Sequence, residues 1–299
     1  MNIIQRIKSG PWSTVGNTPL IEINDKIVAK LETFSPTGSI KDRPIKYIVE
    51  KAIRTGKVTP ETTLVEASSG NTGIALASIG AALGLKVIII MPINMSLERR
   101  HMINCFGATV QYVGPSDFKG AISLRNEISS RENFWSPMQF ENSENIDCHA
   151  STTAIEIASQ LEARGENWGA FVSGAGTGGT IMGVKKFASK NAIDIFANLV
   201  VPNESPHEIQ GIGDGDDYLV DRSLIDSITR IPSAQAIEKA KQYSKDTGLL
   251  IGISAAANLI AAEKLSSSGN ISGKIVTIIC DRGERYFSIF CNKESENDH

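Results

Sequence analysis

Short apolar runs alternate along this chain with longer segments whose apolar residues recur at helical spacing. Each apolar run is paired with the helical segment that follows it, at 64–66 and 73–83, 87–91 and 96–106, 109–113 and 119–130, and 171–173 and 180–188. Further along lie an apolar run at 193–201, helical segments at 234–247 and 254–265, and a last apolar run at 274–280. Runs that are apolar on both faces and separated by helices are typical of parallel strands covered on both sides. The alternation therefore predicts an α/β fold built on mostly parallel sheets.

A polar stretch at residues 136–145 interrupts this alternation, because helical and strand patterns both lapse there. Strand–helix pairs lie on either side of it, so we expect the chain to cross between two parts in this stretch. In open α/β sheets, ligands bind beyond the carboxyl ends of the strands. The turns that follow the strands are therefore the places where chemistry is expected.

Composition argues against several classes of function. The 299 residues carry 30 Lys and Arg against 33 Asp and Glu, without a basic arm, so we expect no nucleic-acid partner. Apolar runs such as 87–91 are too short to span a bilayer, so no membrane role is expected. Well-separated cysteines and the lack of a signal-type N-terminus predict a reduced, cytoplasmic chain. Cys148 and His149 are adjacent but lack a second ligand pair, so no metal site is expected.

Lys41 follows a turn rich in Pro, Gly and Ser and precedes a segment of helical pattern. A lysine at such a junction can lose enough hydration to present a neutral amine, which is the group that forms a Schiff base with a carbonyl. The alternative is an ordinary solvated lysine. The remaining turns decide between these interpretations.

The turn after residues 64–66 runs directly into a helical segment. It concentrates hydroxyl, amide and backbone N–H groups in Ser68, Ser69, Gly70, Asn71 and Thr72. A helix N-terminus with small polar residues suits a carboxylate or a phosphate. The alternative is a helix cap without a ligand.

A second turn follows residues 171–173 and contains the sequence Gly-Ala-Gly-Thr-Gly-Gly-Thr at 174–180. Glycines let successive N–H groups converge on a phosphate at a helix N-terminus. Gly174, Gly176 and Gly179 also satisfy a Gly-x-Gly-x-x-Gly pattern, with Asp194 downstream, so an NAD(P)-dependent oxidoreductase is kept as an alternative. The loop lacks the lysine of a nucleotide P-loop.

Late in the chain, Ser254 stands at the start of a predicted element and Cys280 at the end of another. A hydroxyl or thiol in such a place could face a buried ring nitrogen, although the pattern alone selects neither. A reactive amine, a carboxylate-type loop and a phosphate loop together fit one cofactor, pyridoxal 5′-phosphate, which needs an amine for its aldehyde and an anion site for its phosphate.

Five motifs spread in order along nearly the whole chain carry a family resemblance. They are Gly-Asn-Thr-Pro-Leu at 16–20, Ser-Ile-Lys-Asp-Arg at 39–43, Ser-Gly-Asn-Thr-Gly at 69–73, Gly-Thr-Gly-Gly-Thr at 176–180 and Gly-Glu-Arg-Tyr at 283–286. With them the chain resembles the cysteine synthase (O-acetylserine sulfhydrylase) and cystathionine β-synthase family of fold type II pyridoxal-phosphate enzymes. The turn at 280–282 resembles the B-type cysteine synthases.

The resemblance implies a role for individual residues. Lys41 would bind the cofactor aldehyde and later take the substrate Cα proton, and Asn71 would hydrogen-bond the ring 3′-oxygen. The residues implied to bind the substrate are Ser68, Ser69, Gly70, Asn71, Thr72, Gln139, Gly211 and Asp214. The residues implied to hold the phosphate are Gly176, Thr177, Gly178, Gly179 and Thr180. Ser254 would face the pyridine nitrogen, with Cys280 as a neighbour or substitute.

The resemblance also implies two lobes of the tryptophan synthase β type, each a mostly parallel twisted sheet covered by helices, with the active site in the cleft between them. Residues 37–140 would form a smaller mobile lobe with the carboxylate loop. Residues 1–36 and 141–299 would form a larger lobe that binds the cofactor. A homodimer is implied in the same way.

The implied reaction makes L-cysteine from an activated serine, such as O-acetylserine, and sulfide through an aminoacrylate intermediate. Alternatives within the family are cystathionine formation and a cysteine-desulfurating activity that releases hydrogen sulfide and forms serine. Asp214 departs from the family pattern, because a small or aromatic residue is common there. It could bind the amino group of a cosubstrate or activate water, or it could simply face solvent.

Overall fold

The computed structural model describes residues 3–68, 70–213 and 218–291. Its helices are α1 Ile3–Ser9, α2 Asp42–Arg54, α3 Asn71–Leu83, α4 Leu97–Cys105, α5 Phe118–Ser129, α6 Glu144–Ser151, α7 Thr153–Glu162, α8 Gly179–Lys190, α9 Ser233–Thr247, α10 Ile253–Ser267 and α11 Phe287–Cys291. Its strands are β1 Leu20–Glu22, β2 Ile27–Leu31, β3 Thr63–Ala67, β4 Val87–Pro92, β5 Thr109–Val113, β6 Phe134–Trp135, β7 Trp168–Gly174, β8 Phe196–Pro202, β9 Ser227–Ile231 and β10 Lys274–Ile279.

The chain divides into two compact units. The first comprises the chain up to Val15 together with Ser35–Asn142, and the second comprises Gly16–Phe34 together with the chain from Ser143 onward.

The first unit is built on a four-stranded sheet in the order β5-β4-β3-β6, with every pair parallel. Neighbouring residues of β3 face opposite sides, because Leu64 packs in the core formed with α3 whereas Val65 packs in the core formed with α5. The α3 side is further covered by α1 and α2. Burial on both faces explains why the inner strand β4 is apolar throughout, whereas the edge strand β5 also carries polar residues.

The second unit is built on a six-stranded sheet in the order β1-β2-β10-β7-β8-β9. The pair β1–β2 is antiparallel and the other pairs are parallel. Alanine-rich α10 and part of α9 pack on β2, β7 and β10 to form the main core. Small side chains on α10 allow this helix to be buried along most of its length. The predicted α/β fold with mostly parallel sheets is confirmed.

The N-terminal boundary differs from the prediction, which placed residues 1–36 in the larger lobe. Ile7 and Trp12 are buried in the core of the first unit, and Arg6 Nη1 donates to the Leu83 carbonyl at the end of α3 over 3.2 Å. The chain therefore enters the second unit only at Gly16 and returns at Ser35. The mobility of residues 37–140 and the predicted cleft stay predictions.

Candidate active site

Lys41 lies directly before α2, where a buried carboxylate fixes the preceding turn. The Asp42 side chain accepts the Thr37 backbone N–H over 2.7 Å and the Thr37 hydroxyl over 2.5 Å. Gly38 has φ +76°, a conformation that favours glycine, and Pro44 occupies the first turn of the helix, where its missing N–H costs little. Lys41 is half-buried.

The loop before α3 is closed by a serine cap. Ser68 Oγ accepts the N–H groups of Gly70 and Gly73 over 3.2 and 3.0 Å. The Ser68 hydroxyl proton is left for a further acceptor, because these two bonds use only the oxygen. Asn71, the first residue of α3, is half-buried. Ser69 lies outside the described residues.

Gln139 joins this loop from a distant part of the sequence. The Thr72 hydroxyl donates to Gln139 Oε1 over 2.5 Å, and Gln139 Nε2 donates to the Ala67 carbonyl over 3.4 Å. The Ala67 carbonyl fixes the orientation of the amide, since only the NH₂ end can face it. The Gln139 side-chain amide and the Ser68 hydroxyl thus bring hydrogen-bond donors to the N-terminus of α3, where a carboxylate is favoured.

Glu66 and Arg125 form a fully buried ion pair behind this loop, with Arg125 Nη1 and Glu66 Oε1 3.3 Å apart. Arg125 Nη2 also contacts Glu141 Oε1 over 2.8 Å. Burial raises the pKa of Glu66 from 4.5 to about 7, against the opposing attraction of Arg125. Glu66 is not among the predicted site residues, although a charged residue within an otherwise apolar strand is the sequence signal of such a buried pair.

In the second unit, the glycine loop joins β7 to the N-terminus of α8. Gly178 has φ +89°, and Thr177 Oγ1 accepts from Asn145 Nδ2 over 3.0 Å and from the Gly179 N–H over 3.2 Å. Within the described residues, the N–H groups of Gly178 and Thr180 donate to no acceptor. These groups at the start of a twelve-residue helix can bind an anion.

Two glycines of this loop are also required by packing within the chain. A Cβ at Gly176 would lie 2.5 Å from the Gly211 carbonyl oxygen, and one at Gly179 would lie 2.2 Å from Asn145 Oδ1. The glycine density therefore has a packing cause that the sequence analysis did not foresee. The available N–H groups, and not the glycines themselves, are the feature that favours phosphate.

Ser254 is the second residue of α10 and is buried, and its hydroxyl makes no hydrogen bond within the described part of the chain. A Cβ at Gly211 would lie 3.5 Å from Ser254 Oγ, so these two predicted residues are neighbours. Cys280 Sγ accepts from Asn258 Nδ2 over 3.5 Å. Because that thiol is engaged, Ser254 is the better partner for a ring nitrogen.

The geometry argues against the nicotinamide alternative. Asp194 precedes β8 and so lies at the amino end of that strand, whereas Gly174 ends the parallel neighbour β7. A ribose-binding acid must lie at the carboxyl end of its strand, close to the glycine loop.

Among the described residues, no three or more His, Cys, Asp or Glu side chains are grouped to hold a metal ion. The described helices include none with the length and apolar character needed to cross a bilayer. Asp214 lies outside the described residues.

Comparison with known proteins identifies the family. Residues 12–281 match the family model described as pyridoxal-phosphate dependent enzyme. The chain belongs to this family. It is 39% identical over 289 residues to cysteine synthase B of Campylobacter jejuni, covering 92% of this chain and 95% of that protein.

Two solved structures of this pyridoxal-phosphate family are similar to the whole chain. The O-acetylserine dependent cystathionine β-synthase from Helicobacter pylori is 32% identical with a TM-score of 0.86, covering 94% of this chain and 97% of that one. A hydrogen sulfide-producing enzyme from Fusobacterium nucleatum is 33% identical with a TM-score of 0.88, and the match covers 96% of this chain and 92% of that one. The predicted family and cofactor are confirmed.

Each unit, taken by itself, contains residues whose chemistry fits one part of pyridoxal phosphate. The first unit offers a half-buried lysine at the start of α2. The second unit offers backbone N–H groups at the start of α8 for the phosphate and the Ser254 hydroxyl for the ring nitrogen. Each of these donors matches a polar group of the cofactor.

We expect Gly176→Ala to weaken pyridoxal phosphate binding by about tenfold or more, because the added Cβ displaces the loop whose N–H groups face the anion. Fluorescence titration of the cofactor-free protein measures this affinity. Gly114→Ala is the matched control, since a Cβ there meets nothing closer than Asp117 Cβ at 3.8 Å. Equal affinities for the two variants would contradict a phosphate role for the loop.

The raised pKa of Glu66 predicts a pH-dependent stability. Because the folded-state pKa lies above the unfolded value, the folded protein binds more protons between the two values. Wild type should therefore lose about 3 kcal/mol of unfolding free energy relative to Glu66→Gln as the pH rises from about 4.5 to about 7. Urea unfolding of both proteins across this range measures the difference. A difference that stays constant with pH would show that Glu66 titrates normally.

Proposed function

We propose that this enzyme makes L-cysteine by β-replacement, in which sulfide takes the place of the leaving group of an activated serine such as O-acetylserine. The observation that carries the proposal is the arrangement of Ser68, Thr72 and Gln139 at the start of α3, which suits an amino-acid carboxylate. Similarity to a cysteine synthase B along 92% of the chain supports it.

Pyridoxal phosphate, when bound, supplies an electron sink that makes the Cα proton of an amino acid removable. Lys41 would hold the cofactor through its aldehyde, and its amine, once released by the incoming amino acid, would take the Cα proton. One amine thus anchors the cofactor and serves as general base. The leaving group would depart from Cβ with its bonding electrons, sulfide would add to Cβ, and the protonated Lys41 amine would return a proton to Cα.

The other predicted residues bind the substrate and the cofactor and orient them. Ser68 and Gln139 donate to the substrate carboxylate, with Ser69 and Gly70 in the same loop, and Asn71 donates to the ring 3′-oxygen. The loop of Gly176, Thr177, Gly178, Gly179 and Thr180 holds the phosphate. Ser254 faces the pyridine nitrogen, with Gly211 beside it.

A neutral hydroxyl at the ring nitrogen has a chemical consequence. The Ser254 hydroxyl cannot keep the nitrogen protonated as a carboxylate would, so negative charge at Cα is stabilised less strongly. Rapid loss of a Cβ leaving group is therefore favoured over reactions that need a persistent carbanion. β-Replacement is the outcome that this choice of residue favours.

The enzyme is further proposed to act as a homodimer in the cytoplasm on a small amino acid together with sulfide or a thiol. Cys105, Cys148, Cys280 and Cys291 are not joined in disulfides, which is compatible with a reducing compartment.

We expect the purified enzyme to absorb visible light through its bound cofactor and to form L-cysteine from O-acetylserine and sulfide. Lys41→Ala should lose both properties, because it removes the amine that binds the aldehyde. Lys51→Ala, at an exposed lysine of the same helix, is the matched control and should keep both. Absorbance spectra and a product assay measure the outcome.

A colourless wild-type protein after reconstitution with pyridoxal phosphate would contradict the proposal. So would the absence of L-cysteine when O-acetylserine, O-phosphoserine and serine are each supplied with sulfide.

A second candidate is desulfuration of cysteine, which releases sulfide and forms serine. Its support is the 33% identity to a hydrogen sulfide-producing enzyme across 96% of this chain. Cystathionine formation is a third candidate, supported by the similar structure from Helicobacter pylori. Replacing sulfide by homocysteine, or supplying cysteine alone, separates the three activities in one assay.

Asp214 is proposed to influence which nucleophile reacts, by binding the amino group of a cosubstrate or by activating water. Under the water hypothesis, Asp214→Asn should reduce serine formation from cysteine by about tenfold or more, because a general base is lost. Asp216→Asn, two positions further along the same acidic stretch of sequence, is the matched control. Unchanged product ratios and cosubstrate affinity in Asp214→Asn would remove the hypothesis.

A further inference from the structure

Glu66 uses both carboxylate oxygens to connect two segments that are far apart in sequence. Oε1 accepts the Ala67 N–H over 2.8 Å and pairs with Arg125, while Oε2 accepts the Gln139 N–H over 3.2 Å. Ala67 directly precedes Ser68, the cap of α3. One buried carboxylate therefore ties the Ser68 end of the carboxylate loop to the Gln139 end.

The segment around Gln139 depends on such contacts, because residues 136–142 form neither a helix nor a strand. Met138 has φ +52°, a left-handed conformation that costs energy for a residue with a side chain. The surrounding hydrogen bonds must therefore stabilise this conformation of Met138. Two bonds join this segment to β3: the Gln139 backbone N–H donates to Glu66 Oε2, and Gln139 Nε2 donates to the Ala67 carbonyl.

Only a carboxylate satisfies the position. Two backbone N–H groups point at residue 66, so its side chain must offer two acceptors. The isosteric amide of glutamine has a single oxygen, and its NH₂ group would face one of the two N–H groups. Arg125 makes a charged acceptor tolerable in the interior, because it compensates the burial of the charge.

We infer that Glu66 is a positioning residue for substrate recognition, which sets the Gln139 amide against Thr72 and Ser68 so that the site receives an amino-acid carboxylate. Glu66 acts through the backbone N–H groups of Ala67 and Gln139, and not through the side chains of Thr72 and Ser68. Its effect is on substrate binding, and the inference rests on the proposed function of the loop.

The test uses Glu66→Gln in the complete holoenzyme. We expect its KM for O-acetylserine to rise about tenfold or more with a smaller change in kcat, because the lost contacts are formed equally in the bound substrate and the transition state. The affinity for pyridoxal phosphate should change less than KM, since the groups proposed for its phosphate and its ring nitrogen lie in the second unit and only Asn71 belongs to the carboxylate loop. Amide hydrogen exchange should become faster at Ala67 and Gln139.

Glu127→Gln is the matched control. It makes the same chemical change in α5, the helix that carries Arg125, but Glu127 pairs with Arg131 at the surface, where the two side chains are 64% and 56% exposed. This variant should behave as wild type in KM and in exchange. An effect of the control as large as that of Glu66→Gln would overturn the inference.

A double variant, Glu66→Leu with Arg125→Met, separates positioning from charge balance. It removes both buried charges, so it should fold at least as well as the single variant, yet it still lacks acceptors for the two N–H groups. The inference requires its KM to stay raised. A return of KM to the wild-type value would show that Glu66 only balances Arg125, and would overturn the inference.

Failure of the proposed function gives a different result from failure of this inference. If wild type makes no product from O-acetylserine and sulfide, the proposed function fails. The exchange experiment needs no turnover, and unchanged exchange at Gln139 in Glu66→Gln overturns the inference by itself.

Discussion

Parallel strands that end at one edge of a sheet are the constraint on which the candidate site depends. Each strand passes through a short turn into a helix, so helix N-termini with unpaired N–H groups collect at that edge. In the first unit, β3 leads into α3 through the serine cap, and in the second unit, β7 leads into α8 through the glycine loop. The two anion sites thus have the same physical origin, and differ in the side chains around them.

Polar side chains adapt these similar helix starts to different ligands. In the first unit, Ser68 and Gln139 provide donors held by a network that reaches back to the buried Glu66. In the second, the available donors are backbone N–H groups, because Thr177 is used to cap the helix. Side-chain donors suit the carboxylate of a substrate that must enter and leave. Backbone donors suit the phosphate of a cofactor that stays.

The central strands of the fold could be predicted from the sequence because they are apolar on both faces. The candidate site could be located because its turns concentrate polar residues or glycines. Strand β9 was missed because it lies at a sheet edge and alternates between exposed and buried residues, unlike an apolar run. The position of Trp12 in the first unit depends on contacts far along the chain. Likewise, the pairing of Gln139 with Thr72 and the two acceptors on Glu66 are tertiary contacts that no local pattern encodes.

The central claim is that Lys41 holds the cofactor. Reduction of the holoenzyme with borohydride makes the bond between a lysine amine and pyridoxal phosphate permanent, and mass spectrometry of the digested protein then locates the modified residue. The account predicts a single phosphopyridoxyl group on the peptide that contains Lys41. Modification of a different lysine, or no modification of a protein that contains bound cofactor, would contradict it.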